Sequence, residues 1–515
     1  MKRRDFIKSS IAISALGSCF PSALLGSKNR FSFKNSNIDS DKIVILIKMN
    51  GGNDGLNTVI PFQNSSYYEY RPSVSIPIEQ SIPITDNLAL HPALNNWQEL
   101  FFQQKMGIIQ GVGYPNGNMS HFRSSDIWDT GSDENIELET GWLGRLLELE
   151  YPNFPDNAPD HPLAIQYNSA NLLEFKTNAS NAGLYLYDPD TIHSIITGNY
   201  IENINSEVPE TYGGDELAFI KELDYMSFNY SNIIFDASQN APNTIHTYPE
   251  TPIGKQFEIT SRLISGGLST PFYRLYQNGY DTHGNQLERH YQLLLELSNA
   301  LNVFINEMES IGLLDRILIV TTTEFGRRVF ENASGGTDHG TSAPVFVFGS
   351  NILGGVLGDD PEINKLDDNN NLPFQYDFRQ IYSSIIINWF GLNSSISNSV
   401  FNGTFNPVPF INLPLSSKNK ISPKSIKIYP AHPNPFNANT TLRYSLPKKA
   451  LVKITIYDML GNIIKNLVNE NQNSGNQSVR WDATNNKGQS VSTGTYLYTI
   501  ETGKFKQTKK MILLK

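Results

Sequence analysis

The stretch that most constrains this chain runs from Arg316 to Thr341, RILIVTTTEFGRRVFENASGGTDHGT. Ile317 to Val320 is a short run of β-branched and apolar residues, which fits a strand buried on both faces of a parallel sheet. Such a strand leaves Glu324 at its carboxyl end, where open α/β sheets keep their chemistry. The glycine-rich loop that follows returns Asp338 and His339 to that end, about fifteen positions later. Upstream, Gly279-Tyr280-Asp281-Thr282-His283-Gly284 supplies a second Asp/His pair. Alternate residues of an extended segment face one side, so Asp281 and His283 point at one target. Carboxylates and imidazoles in two tight clusters suit a divalent metal.

Two earlier segments repeat the arrangement of strand, glycine loop and polar cluster. Lys42 to Met49, KIVILIKM, reads as a central strand opening into Asn50-Gly51-Gly52-Asn53-Asp54-Gly55. That loop lacks the Lys and Ser/Thr of a phosphate-cradling P-loop. Asp54 is either a ligand or a turn aspartate. Met106 to Val112 leads into Gly113-Tyr114-Pro115-Asn116-Gly117-Asn118-Met119-Ser120-His121-Phe122-Arg123. A serine where a loop becomes a helix lies near backbone N–H groups that favour an anion. Ser120 is therefore a candidate nucleophile, His121 a candidate base or ligand, and Arg123 a candidate anion clamp. The plainer alternative is a helix cap at Ser120 with a structural His121.

After His283, the residues Leu287, Tyr291, Leu294, Leu297, Leu301, Phe304 and Met308 recur at spacings of three and four, and Gly312 sits where the helix should stop. The stripe predicts packing against the sheet, with His283 and Glu324 joined by one strand-helix-strand crossover. Pro344 to Gly349 reads as another strand, Pro162 to Tyr167 as a further one, and Asp377-Phe378-Arg379-Gln380 as the cap of a last helix reaching Trp389. Residues from about 130 to 265 carry little periodicity, and His161, His193 and His246 read as structural or surface residues there. The region from 40 to 395 is expected to be a doubly wound α/β domain with a mostly parallel sheet.

The start, Met1-Lys2-Arg3-Arg4-Asp5-Phe6-Ile7-Lys8 followed by a modestly apolar Ile11 to Leu25, fits a twin-arginine export signal over residues 1–30. It is too short and interrupted for a permanent transmembrane anchor. Cys19, after Leu16-Gly17-Ser18, loosely resembles a lipoprotein cleavage box and is the only cysteine, so any metal is held by oxygen and imidazole. A formal charge of −10 argues against a nucleic-acid partner. The length of 515 residues calls for more than one unit.

From about Ile396 the composition turns to Asn, Ser, Pro and Lys, which predicts a linker over 396–423. Beyond it, Lys453 to Tyr457 and Thr495 to Ile500 alternate, and Asp458-Met459-Leu460-Gly461-Asn462 and Asn485-Asn486-Lys487-Gly488 supply turns. The pattern predicts a small immunoglobulin-like β-sandwich over 424–515.

In this order, GGNDG, SHF, YDTHGNQ, TEFGRR and GTDHGT resemble an uncharacterised family of exported bacterial proteins with twin-arginine leaders, a branch of the alkaline phosphatase and sulfatase superfamily. The resemblance implies Asp54 and Glu324 near a nucleophilic Ser120, with Asp281, His283 and His339 around a divalent metal (Zn, Mn, Ca or Fe). Phe325 stands where related enzymes carry an imidazole. The implied activity is hydrolysis of a phosphate or sulfate ester, of a small molecule or polysaccharide, with Arg123, Arg327 and Arg328 as charge-neutralising candidates. The alternative is a non-catalytic surface binding protein on a decayed hydrolase fold. Tyr429 to Asn437, Tyr457 to Gly461, Trp481-Asp482, Ser492 to Tyr496 and Lys510 to Lys515 resemble the C-terminal sorting domain of the type IX secretion system. That resemblance implies export machinery as a partner, transit through the periplasm, and release or attachment at the outer cell surface.

Overall fold

The apolar runs become the strands of one sheet, and their alternation supplies it with two cores. The computed structural model describes residue 38 and residues 41–514, apart from 155–157, 168–172, 179, 187, 191–229, 243–245, 413–425, 429–430, 432–433, 438, 473–474 and 504. The expected leader, His193 and part of the expected Tyr429 to Asn437 motif therefore lie outside the described residues. The chain divides into two compact units, Met1–Leu413 and Pro414–Lys515.

Apart from a small sheet of Val59–Ile60, Ala89–Leu90 and Ile82–Pro83, the described strands of the first unit are β1 (Ile43–Asn50), β2 (Met106–Gly113), β3 (Ala164–Gln166), β4 (Gly183–Tyr185), β5 (Phe272–Asn278), β6 (Ile317–Thr322), β7 (Gly326–Glu331), β8 (Thr337–Gly340), β9 (Ala343–Phe348), β10 (Gly355–Leu357) and β11 (Tyr376–Asp377). Nine of them form one sheet in the order β10-β2-β9-β6-β1-β5-β3-β4, with β11 beside β2, while β7 and β8 form a separate antiparallel pair. Strand β1 lies between β5 and β6 and is parallel to both. Only β9 runs against its neighbours along that path. The sheet is thus mixed but mostly parallel, as expected, and the crossover from His283 to Glu324 steps over β1.

Among the helices that cover this sheet are α1 (His121–Thr130), α2 (Trp142–Glu150), α3 (Pro252–Ser265), α4 (Gln286–Ser310) and α5 (Phe378–Ser384). Successive residues of a strand face opposite sides. Ile43, Ile45, Ile47 and Met49 therefore pack with Phe257 and Leu263 of α3 and Leu294, Leu297, Leu301, Phe304 and Met308 of α4. Val44 and Leu46 face Ile127 and Trp128 of α1, Trp142 of α2 and Ile381 of α5. Each such side chain, fully buried, contributes roughly 1.5–3 kcal/mol of transfer free energy, so every strand residue here is held from one side or the other.

Helix α4 departs from the expected stripe in its first turns. Leu287 and Tyr291 are each 41% exposed, while the polar Gln286 and His290 are buried. That end of the helix sits on a polar cluster rather than on the apolar sheet face. Asp377 and Gln380 form the expected capping box, and the helix continues to Trp389 through a π-helical segment, Ile385–Trp389. It is not the last helix: Ser394–Phe401 follows. Val400, Phe401, Val408, Phe410 and Ile411 are buried in the first unit's core, so residues 396–412 of the expected linker belong to that unit.

The second unit has one sheet of Lys427–Ile428, Thr440–Leu446 and Gly475–Trp481, and another of Phe436–Asn437, Ala450–Tyr457, Ile463–Gln472, Gly494–Thr502 and Phe505–Leu514. Leu442, Tyr444, Ile454, Ile456, Trp481, Tyr498 and Met511 form a core of their own. This is the expected β-sandwich. Among the described residues, no helix is long and apolar enough to cross a membrane.

Candidate metal centre

The site forms where the carboxyl ends of β1, β5 and β6 meet the β7/β8 pair and the start of α1. Close backbone approach makes this possible. Gly51 has φ +124°, and a Cβ there would lie 2.3 Å from the Asp281 nitrogen; Gly52 has φ +82°, and a Cβ there would meet the Phe325 ring at 2.4 Å. Arg327 is 2% exposed and ties these loops together. Its guanidinium donates to the carbonyls of Gly51, Gly52 (2.8 Å), Tyr280 (3.0 Å) and Thr337 (2.8 Å), and to Asp281 Oδ1 (2.7 Å).

Three imidazoles surround Asp281. His283 Nε2 and His339 Nε2 lie 3.1 and 3.2 Å from Asp281 Oδ1, and His121 Nε2 lies 3.3 Å from Oδ2. In each ring the other nitrogen faces an acceptor: His121 Nδ1 meets Glu324 Oε1 at 3.0 Å, His283 Nδ1 meets Asp338 Oδ1 at 3.1 Å, and His339 Nδ1 meets the Met119 carbonyl at 2.8 Å. A carbonyl has no hydrogen to give, so His339 donates from Nδ1 and its neutral form presents a lone pair at Nε2. The same assignment for the other two rings aims three lone pairs at one carboxylate. His283 Nε2 and His339 Nε2 are themselves 2.9 Å apart. Such an arrangement needs a cation in the middle, either a proton or a metal.

The donor set fits a metal. Donors around a tetrahedral ion at about 2.0 Å are separated by roughly 3.3 Å, close to the distances of the three imidazole nitrogens from the Asp281 oxygens. Imidazole nitrogens backed by carboxylate or carbonyl acceptors are the usual supported ligands of such ions. His121, Asp281 and His339 also lie within one another's reach as a metal-holding group.

The charges are arranged accordingly. Burial tends to raise the pKa of Asp281, but the hydrogen bond and the charge of Arg327 oppose it, and the carboxyl is held at about 2. Burial lowers the pKa of His339, which keeps its ring neutral. The Glu324 hydrogen bond raises that of His121. Glu324 is itself held below its ordinary value: burial opposes ionisation, and the His121 hydrogen bond and the Lys48 charge prevail. Its second oxygen, Oε2, is buried without a hydrogen-bond partner among the described residues.

The expected site residues other than Ser120 fall into three groups. His121, Asp281, His283 and His339 converge. Glu324 and Asp338, expected as ligands, stand behind His121 and His283 as acceptors. Asp54 and Arg123 do not join. The Asp54 carboxylate accepts from Arg71 Nη1 at 2.7 Å, from Gln286 Nε2 at 2.5 Å and from the backbone N–H groups of Leu56 and Asn57, which leaves it no place in a metal shell. Arg123 donates to the carbonyls of Asp133 (3.2 Å), Glu134 (3.0 Å) and Ile136 (2.6 Å) rather than facing an anion. Ser120 is exposed and stands at the N-cap of α1 without a side-chain capping bond. Arg71, Gln286 and the Met119 carbonyl were not foreseen; a buried arginine and a backbone oxygen leave no local pattern to find. Phe325 packs against His339 and His121, with ring centroids 4.3 and 4.9 Å away.

Residues 201–382 match a family described as "Protein of unknown function (DUF1501)", and residues 436–504 match the FlgD Ig-like domain. No curated protein is significantly similar to the chain in sequence. Among solved structures, a protein in the alkaline phosphatase superfamily from Vibrio parahaemolyticus aligns over 91% of both chains at 12% identity, with a TM-score of 0.34. The alkaline phosphatase of the Antarctic bacterium TAB5 aligns over 60% of this chain and 91% of its own at 12% identity, TM-score 0.29. PorZ of Porphyromonas gingivalis, described as a surface component of the type-IX secretion system, aligns over 17% of this chain at 19% identity, TM-score 0.14. This chain spans only 11% of PorZ.

Proposed function

We propose that this chain is an exported metal-dependent hydrolase of phosphate or sulfate esters. The observation that carries the reading is the convergence of His121, His283 and His339 on Asp281, each ring with its far nitrogen already on an acceptor. These four side chains would hold the metal. A divalent ion there would polarise an ester oxygen and lower the pKa of a neighbouring hydroxyl.

The chain's own groups divide the remaining work. Ser120, whose hydroxyl makes no capping bond, is the nucleophile, and the N–H groups that open α1 favour the anionic group it attacks. Glu324, Asp338 and the Met119 carbonyl keep the three rings oriented. Arg328 is the remaining guanidinium for charge on the transferred group, because Arg123 and Arg327 already donate to backbone carbonyls. Passage to the cell surface is assigned to the β-sandwich.

The test is elemental analysis of the folded protein from its native export route, followed by a phosphatase and sulfatase screen with Ser120→Ala. Near-stoichiometric metal, with hydrolysis lost in Ser120→Ala and metal retained, supports the reading. Absence of metal in the unaltered protein, with His283→Ala/His339→Ala folding equally well, overturns it. The occupied Arg123 and Arg327 favour the second reading, a non-catalytic surface binding protein, and metal without any turnover would select it.

A further inference from the structure

The Asn53-Asp54-Gly55 loop is left without a role by the metal centre, although it stands at the end of the central strand. Asp54, Arg71, Gln286, Thr282 and Thr337 are all buried to within 1% exposure, and together they form a continuous chain of hydrogen bonds beneath the site. Arg71 Nη1 donates to Asp54 Oδ2 at 2.7 Å and to Asn57 Oδ1 at 2.8 Å. Arg71 also reaches the carbonyls of Arg328 and Val329, at 2.7 Å each, and so holds β7. Gln286 Nε2 donates to the same Asp54 oxygen at 2.5 Å.

The other end of the Gln286 amide faces the two segments that carry the candidate ligands. Its Oε1 accepts from Thr337 Oγ1 at 2.6 Å and from Thr282 Oγ1 at 3.2 Å. Thr282 lies between Asp281 and His283, and Thr337 directly precedes Asp338 and His339. The two segments are also joined by the Thr337 N–H to the Thr282 carbonyl, at 3.2 Å. One buried amide therefore fixes the spacing between the two Asp/His pairs, and a permanent Asp54-Arg71 ion pair fixes the amide. Its orientation is not free: the end facing Asp54 must be the NH2 and the end facing both hydroxyls must be the oxygen.

We infer that Gln286, oriented by Asp54, is a positioning residue of the metal centre: it presets the separation of His283 and His339 before any ion arrives. The inference rests on the metal reading above. Groups one shell out from the ligands commonly change metal affinity by about 10- to 100-fold when altered.

The experiment measures metal affinity of the full chain by competition with a chelator, in four proteins: unaltered, Gln286→Met, Thr337→Val and the double variant. Met keeps the length of Gln286 and removes both ends of its hydrogen bonding; Val removes one hydroxyl at nearly constant volume. The expected result is about 10- to 100-fold weaker affinity in Gln286→Met, a smaller loss in Thr337→Val, and less than the sum in the double variant, since both remove one contact. Val400→Ala, buried in Ser394–Phe401 and away from the site, serves as a control that lowers Tm without changing affinity. Should Gln286→Met fail to fold, Thr337→Val alone decides the matter. Metal on the unaltered protein with equal affinity in the variants overturns this inference alone. No metal on the unaltered protein overturns both it and the hydrolase reading.

Discussion

Asp54 and Asp281 both leave a parallel strand through a glycine loop, yet one is sealed in the core and the other faces outward among histidines. Asp54 is 1% exposed and is met by Arg71, Gln286 and two backbone N–H groups, all donors that keep their hydrogens at any ordinary pH. The Asp281 side chain is 44% exposed and is met by one such donor, Arg327, and by three imidazoles. An imidazole differs from a guanidinium in that it can offer a lone pair instead of a hydrogen. A carboxylate filled by permanent donors has nothing left for a cation, whereas one ringed by imidazoles shares its position with the ion's other ligands.

The largest break in this comparison is removal of the imidazoles. The double variant His283→Ala/His339→Ala is expected to reduce bound metal from near-stoichiometric to background in elemental analysis. Its Tm should match that of the metal-stripped unaltered protein, because both side chains are partly exposed and outside the core. Full retention of metal would move the centre elsewhere. Next in size is Arg71→Met. It leaves Asp54 charged and buried without its main partner, a change that typically costs about 3–5 kcal/mol. Denaturant midpoints read this directly. A variant as stable as the unaltered protein at pH 7 would show that Asp54 is not the permanent anion described.

The fold was largely readable because burial on both faces forces continuous apolar runs, as in Ile43–Asn50 and Ile317–Thr322. The stripe over Gln286–Ser310 named the helix but misplaced its first turns. Periodicity assumes that buried means apolar, and Gln286 and His290 are buried against Asp54 and Asn53 instead. At the site, Asp281, His121, His283 and His339 were recognisable from glycine loops and residue type. Whether Glu324 and Asp338 bind an ion or support a ligand depends on which imidazole nitrogen they face, and no spacing encodes that. Arg123 was misread for a similar reason: its acceptors are backbone carbonyls, which every residue possesses.

The polar cluster around Asp54 also sets a pH dependence. Burial pushes His290 down to about 4 and His91 to about 3 from an ordinary 6.5, against the opposing pull of Asp54 on both. Their rings lie 5.6 Å apart, and His91 Nδ1 accepts from the Ala93 N–H at 3.2 Å, which requires an unprotonated nitrogen. In the folded state both are neutral at pH 5, while in the unfolded state both take up protons below about 6.5. Stability is therefore fully present above pH 6.5 and falls as pH drops toward 4. At about 1.4 kcal/mol per pKa unit, His290 alone accounts for about 3 kcal/mol. His91→Asn, which retains a capping oxygen, should flatten the stability profile between pH 6.5 and 4. An unchanged slope would mean that the cluster admits protons in the folded state.

The smallest expected effect separates a ligand from its support. Glu324 Oε1 accepts from His121 Nδ1 at 3.0 Å and from the Gly51 N–H at 2.8 Å, while Oε2 has no partner among the described residues. In Glu324→Gln the amide oxygen can keep both bonds, so the ring stays in place and only the charge behind it is lost. Metal affinity is then expected to fall about 10-fold, in line with loss of a supporting carboxylate. If Glu324 were itself bound to the ion through Oε2, the same variant would remove a ligand and approach the complete loss expected of His283→Ala/His339→Ala. Chelator competition on these variants thus decides whether Glu324 belongs with Asp281, as a carboxylate open to a cation, or with Asp54, as one whose partners are already in place.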